Sequence, residues 1–186
     1  MNLSLKNINK KFDNTMVLKD ISLDLQDKKS IVIIGPSGGG KSTLLNILAG
    51  YIEFDSGVAA INEHYLKNNE KFLREYRKKV GIVFQAYNLF PHLTALRNIT
   101  LILEKVHSYS KKDANDKAVR LLKQFQLEDH KDKKPIQLSG GQQQRLAIVR
   151  ALSYDPEILF FDEPSAALDP ALTSEVLEVI KELKDK

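Results

Sequence analysis

One stretch constrains this chain more than any other: the apolar run Ile31-Val32-Ile33-Ile34, followed at once by Gly35-Pro36-Ser37-Gly38-Gly39-Gly40-Lys41-Ser42. A short continuous apolar run suits a strand buried on both faces of a parallel sheet. The eight residues after it fit the pattern G-x-x-x-x-G-K-[ST]. Their chemistry explains the spacing. A loop that cradles phosphate must turn its backbone N–H groups inward, and side chains there would obstruct it. A helix starting near Lys41 aims its partial positive charge at the same anion. Lys41 then reaches the β- and γ-phosphates, and the Ser42 hydroxyl, with Thr43 beside it, lies where Mg²⁺ is held. The nucleotide-binding candidates are therefore Gly35, Pro36, Ser37, Gly38, Gly39, Gly40, Lys41, Ser42 and Thr43.

Two further apolar runs resemble the first, at residues 80–84 and 158–161, and the second ends in Asp162-Glu163. An acidic residue at a strand end in a phosphate-loop protein holds Mg²⁺, which makes Asp162 the metal candidate. Its neighbour Glu163 is placed to orient and deprotonate an attacking water. Helical periodicity lies between the runs, at residues 42–49, at Ala114, Ala118, Leu121, Leu122 and Phe125 with Ser110 as N-cap, at 142–152 and at 173–183. Buried strands separated by helices imply a parallel sheet with crossover helices. The opening differs: Leu3 and Leu5, then Val17, Ile21, Leu23 and Leu25, keep a period of two, which predicts half-buried antiparallel strands. The expected fold is α/β, a P-loop NTPase core with a parallel sheet, an N-terminal antiparallel β subdomain and a helical subdomain inserted at about residues 91–152.

Leu138-Ser139-Gly140-Gly141-Gln142-Gln143-Gln144-Arg145 precedes a helix. Ser139 and Gln142 have the S-x-x-Q spacing of a capping box. Two glycines at a helix start also expose N–H groups to an anion. The residues alone do not choose between a cap and a second anion site, and both can hold.

In this position, between a phosphate loop and an acidic strand end, the segment resembles the signature motif of ABC transporter ATPases. The resemblance runs from Phe12 to Asp169. It implies that two subunits pair head-to-tail, each ATP lying between one phosphate loop and the other subunit's signature motif. Ser139, Gly140, Gly141 and Gln142 would then contact the γ-phosphate held by the partner. Phe12 matches an aromatic that stacks on adenine, with Val17 flanking the ring. Gln85 matches a glutamine that touches Mg²⁺ and the attacking water and links the site to a membrane subunit. Residues 165–169 match the loop that crosses the dimer interface. Tyr87-Asn88-Leu89-Phe90-Pro91-His92-Leu93-Thr94 looks like importers of polar amino acids and the lipoprotein-releasing type, with Leu89 and Phe90 docking a cytoplasmic helix of the permease. Gly39 stands where the family often has Ser or Cys.

The resemblance also sets an expectation at the far end. The family carries one more core strand and a switch histidine beyond that interface loop. The sequence ends at Lys186, and His64, His92, His107 and His130 all precede Asp169. The reading is thus a single ATPase domain over residues 1–186 with ATP binding retained and turnover weakened. A non-transport ABC ATPase, or a nucleotide-binding fragment with little turnover, is the competing reading, although tandem cassettes and long insertions are missing.

Composition enters as exclusion. The 186 residues hold no stretch near 18 uninterrupted apolar residues and no cysteine, so bilayer spans, disulfides and thiolate metal sites are not expected. The net charge of +4 comes from lysine clusters interleaved with acidic residues, which reads as solvated surface, so no nucleic-acid partner is expected. The expected place is the cytoplasmic face of the cell membrane, beside the permease.

Overall fold

The structure is a computed structural model that describes residues 1–162. Glu163, the interface-loop match at 165–169 and the expected helix at 173–183 lie outside the described residues. The chain divides into two units, Met1–Arg77 and a second that begins at Lys78.

The first unit is built on β1 (Leu3–Phe12), β2 (Thr15–Leu25), β3 (Ser56–Ile61) and β4 (His64–Tyr65), paired antiparallel in the order β2-β1-β3-β4. A period of two accounts for the start of β1, where Leu3 and Leu5 are buried and Lys6 faces outward; a register shift after Leu5 then brings Ile8 to the buried side. The turn at Asp13-Asn14 is tight, with Phe12 pairing Thr15. Asp13 takes a left-handed φ of 50°, a conformation that Asp tolerates.

Helix α1 (Lys41–Leu48) follows the glycine-rich loop, and α2 (Glu70–Arg77) locks its far end. The Tyr76 hydroxyl donates to Leu48 O at 2.8 Å, and Arg77 Nε donates to Gly50 O at 2.8 Å. Carbonyls at a helix C-terminus that the helix itself cannot satisfy thereby gain partners.

Residues 31–34 depart from the expectation of a central buried strand. They form no ladder among the described residues, and Val32 and Ile34 are 78% and 89% exposed. An apolar run becomes a buried strand only where neighbours supply hydrogen bonds on its edges. The four strands of this unit pair with one another instead.

The second unit carries the parallel pair: β5 (Val80–Val83) beside β6 (Ile158–Phe161), in register from Val80↔Ile158 to Val83↔Phe161. Parallel strands need a crossover. Here it contains α3 (Ala95–Lys105), α4 (Lys111–Gln124) and α5 (Gly140–Leu152), with short 3₁₀ turns at Glu128–His130 and Pro135–Gln137. Ser110 caps α4 as the sequence predicts, its side chain accepting from Asp113 N at 3.1 Å. The core joins Ile99 and Leu103 of α3, Ala118 and Leu122 of α4 and residues 146–149 of α5. Gly81 lets α5 approach the sheet: a Cβ there would lie 2.6 Å from Leu159 Cδ1 and 3.0 Å from Ala151 O.

Candidate functional site: two helix starts and a strand end

In the first unit the glycine-rich loop ends at Gly40, the N-cap of α1, at φ 80° and ψ 7°. Two reasons make this glycine obligatory. The left-handed φ disfavours any side chain, and a Cβ would come within 2.9 Å of Leu18 Cδ2 and 3.0 Å of Val17 O. The loop therefore rests directly on β2. Gly38 is also left-handed, at φ 76°, and Gly39 N–H donates to Pro36 O at 3.1 Å. No side chain caps α1, and no acidic residue stands in its first turn. The helix start is thus left to its backbone N–H groups, which is the arrangement an anion needs. Lys41 folds back over the loop, Nζ donating to Gly35 O at 3.2 Å and Pro36 O at 2.9 Å. Ser42 and Thr43 occupy the same first turn.

The end of β1 presents Phe12, 43% exposed. Lys10 Nζ sits over its ring, 5.2 Å from the centroid. Asp55 fixes this strand end. Its Oδ2 accepts from Lys11 N at 2.7 Å and its Oδ1 from Lys10 Nζ at 3.1 Å. The Lys11 N–H first, and the Lys10 ammonium second, hold the Asp55 carboxyl below its ordinary value. Val17 lies just past the turn on β2, its Cγ1 3.3 Å from where a Gly40 Cβ would stand. One hairpin therefore brings Phe12, Val17 and the glycine-rich loop together.

In the second unit Asp162 N–H donates to Val83 O at 2.9 Å. This bond sets Asp162, half-buried, at the carboxyl end of the parallel pair, and its partner Val83 lies two residues before the exposed Gln85. Ligands of α/β sheets gather outside the carboxyl ends of the strands. Asp162 and Gln85 carry hard oxygen donors, one of them a carboxylate, and such donors suit Mg²⁺, which keeps waters and takes one or two carboxylates plus substrate phosphates. Among the described residues no group of three or more His, Cys, Asp or Glu could hold a metal by itself.

The start of α5 shows the cap that the sequence predicts. Ser139 is its N-cap and the capping box is closed: Gln142 N–H donates to Ser139 Oγ at 3.3 Å, and Ser139 N–H donates to Gln142 Oε1 at 3.0 Å. The Gln142 amide nitrogen then faces His130 Nε2 at 2.9 Å. The box leaves the Ser139 O–H as a donor and the N–H groups of Gly140 and Gly141 at the first turn. Ser139 and Gly140 are exposed, whereas Gly141 is buried. The cap is thus closed while donors remain at the helix start.

A family model described as ABC transporter matches residues 18–166. The chain belongs to the ABC transporter family.

Two curated relatives of this ABC protein are an arginine transport ATP-binding protein, ArtP, of Haemophilus influenzae and a glutamate/aspartate import ATP-binding protein, GltL, of Escherichia coli. The first is 44% identical, over 100% of this chain and 78% of its own length. The second is 42% identical, over 99% of this chain and 76% of its own. Among solved structures, the ATP-binding cassette MJ0796 in a dimeric, post-hydrolysis state bound to ADP and Pi superposes with a TM-score of 0.83. It is 37% identical, over 98% of this chain and 82% of that one. The α/β fold is the ABC cassette fold, with an antiparallel N-terminal sheet, a parallel pair and helices between.

Sequence reasoning missed four residues that brace the candidate site residues of this ABC protein. Asp55, which braces the Phe12 strand end, and His130, which braces Gln142, are brought to their partners only by folding. Arg150 and Asn98 hold the 87–94 loop from inside the core. The only trace of Arg150 in the sequence is a cation inside the apolar stripe Ile148-Val149-Arg150-Ala151.

Proposed function

We propose that this ABC protein is the ATP-hydrolysing subunit that powers uptake of a polar amino acid through a separate membrane permease. The observation that carries the reading is the pair of helix starts, one glycine-gated and one serine-capped, in a chain whose relatives are named for arginine, glutamate/aspartate and L-cystine transport. Residues 1–186 act as one ATPase domain, with residues 91–152 as its helical subdomain. Two copies pair head-to-tail on two ATP molecules at the cytoplasmic face of the membrane, each beside a permease subunit that the loop at Leu89 and Phe90 contacts.

In each site Phe12 stacks on adenine with Val17 at its flank. The N–H groups of Gly35 and of residues 37–43 hold the phosphates, with Pro36 shaping the loop. Lys41 leaves the carbonyls of Gly35 and Pro36 for the β- and γ-phosphate oxygens, a shift that costs little because both partners are exposed. Ser42, Asp162 and Gln85 hold Mg²⁺. The chemistry the ion would supply when bound is positive charge that offsets the charge of the phosphates. Glu163 takes a proton from water as its oxygen attacks the γ-phosphorus in line, and the β–γ bridging oxygen leaves with ADP. The Ser139 hydroxyl and the Gly140 and Gly141 N–H groups of the second copy complete the shell around the γ-phosphate. Gln142 braces them through its capping box.

The Glu163→Gln variant tests the chemistry. Phosphate release should fall below detection while MgATP binding, followed by titration calorimetry, stays as in the parent chain. Undiminished hydrolysis would refute Glu163 as the base. Co-expression with the permease and uptake of a panel of labelled amino acids tests the transport assignment. Uptake that ignores the loss of Lys41 would contradict it.

A further inference from the structure

We infer that Arg150 is a positioning residue whose guanidinium ties the helix bearing the signature motif to the 87–94 loop, so that loop and helix move as one piece. The inference rests on the proposed function, which gives the helix start to the nucleotide and the loop to the permease.

Arg150 stands in the last turn of α5, ten residues after Gly140, a separation of about 15 Å along a helix. Its side chain is buried, and its fork donates twice to one stretch of backbone: Nη1 to Asn88 O at 2.6 Å and Nη2 to Tyr87 O at 2.7 Å. The guanidinium carbon also lies 6.0 Å from the Phe90 ring centroid. The two carbonyls belong to consecutive left-handed residues, Tyr87 at φ 61° and Asn88 at φ 49°. Two successive residues in that region turn their carbonyls to the same side, which suits one planar fork. Tyr is a poor residue for this conformation, so the surroundings must impose it.

A second buried side chain takes over where Arg150 stops. Asn98 of α3 is fully buried. Its Oδ1 accepts from Phe90 N at 2.8 Å, and its Nδ2 faces the carbonyls of Phe90, Leu93 and Thr94 at 3.2, 3.3 and 3.0 Å. The loop backbone is therefore held on its inner side, and Asn88, Phe90 and His92 keep exposed side chains outside. Asn98 anchors the loop to α3, and Arg150 alone of the two reports from the signature helix. A lysine could supply the charge but not the two parallel donors, so the geometry specifies arginine.

Hydrogen exchange by mass spectrometry tests this on the full chain, with MgATP as the probe and its affinity measured beside it. In the parent chain MgATP should slow exchange in peptides covering residues 86–93 as well as at the start of α5. In Arg150→Met the change at α5 should persist at unchanged MgATP affinity, and the change at 86–93 should shrink by about tenfold. Arg150→Lys keeps charge and stem, serves where the methionine variant folds poorly, and should restore little of the loop response. Full loop protection in either variant, or a parent chain that binds MgATP with no loop response, overturns the inference and leaves the nucleotide assignment standing. A chain in which MgATP does not bind at all removes both.

Discussion

The starts of α1 and α5 are two answers to one problem, the unpaired N–H groups at the head of a helix. At α1 the N-cap is Gly40 and no side chain competes for the first turn. At α5 the N-cap is Ser139, and a closed box occupies the Gln142 N–H. The first start is shaped by what glycine permits: a left-handed φ and a close approach to Val17 and Leu18. The second is shaped by what serine and glutamine supply. An open start can take the whole polyphosphate; a closed one can offer only a hydroxyl and two N–H groups to a phosphate already held elsewhere. That division fits a site completed by two copies of the chain.

The contrast breaks first at Gly40. Gly40→Ala adds a left-handed side chain, about 1–2 kcal/mol, and an overpacked contact, about 1–3 kcal/mol. It should lower the thermal midpoint and remove MgATP binding in calorimetry. Tolerance of alanine there would mean that the loop geometry does not matter. A smaller effect belongs to the second start. Ser139→Ala loses a cap worth about 1 kcal/mol, visible as a modest fall in the denaturation midpoint. MgATP should still bind the single chain with parent affinity, because the phosphate loop is untouched. A matching loss of affinity would erase the distinction between the two starts.

The smallest effect lies beside the first start. Asp55 keeps its carboxylate through Lys11 N–H and Lys10, so its folded value lies below the ordinary 3.8. A lowered value makes the contribution to stability full above the unfolded pKa and lost as pH falls through the folded one. Asp55→Asn should lower the neutral midpoint slightly, flatten the acid limb of midpoint against pH, and converge with the parent below that window. An acid limb identical to the parent's would show that Asp55 does not brace the Phe12 strand end.

What the sequence made legible divides along the same line. The glycine-rich loop, the S-x-x-Q cap, the Ser110 cap and the strands at 80–83 and 158–161 are local signals, because the residues that cause each feature are neighbours in the chain. Residues 31–34 show the limit. Their apolar run matches a buried strand, yet pairing depends on which strands lie alongside, and the described residues give them none. Helix α2, with its Asn69 side chain accepting from Phe72 N at 3.0 Å, has only eight residues, and its buried face shows in the sequence as the single pair Leu73 and Tyr76. Arg150 with Tyr87, and Asp55 with Lys11, are separated by 63 and 44 residues, and no local pattern announces such pairs.

The central claim is that the two helix starts close on one nucleotide from two copies of the chain. Sedimentation velocity of the Glu163→Gln variant at saturating MgATP tests it most directly. The account predicts a dimer that forms only with MgATP and reverts to monomer when either Gly40→Ala or Ser139→Ala is added. A chain that binds MgATP and remains a monomer would contradict it.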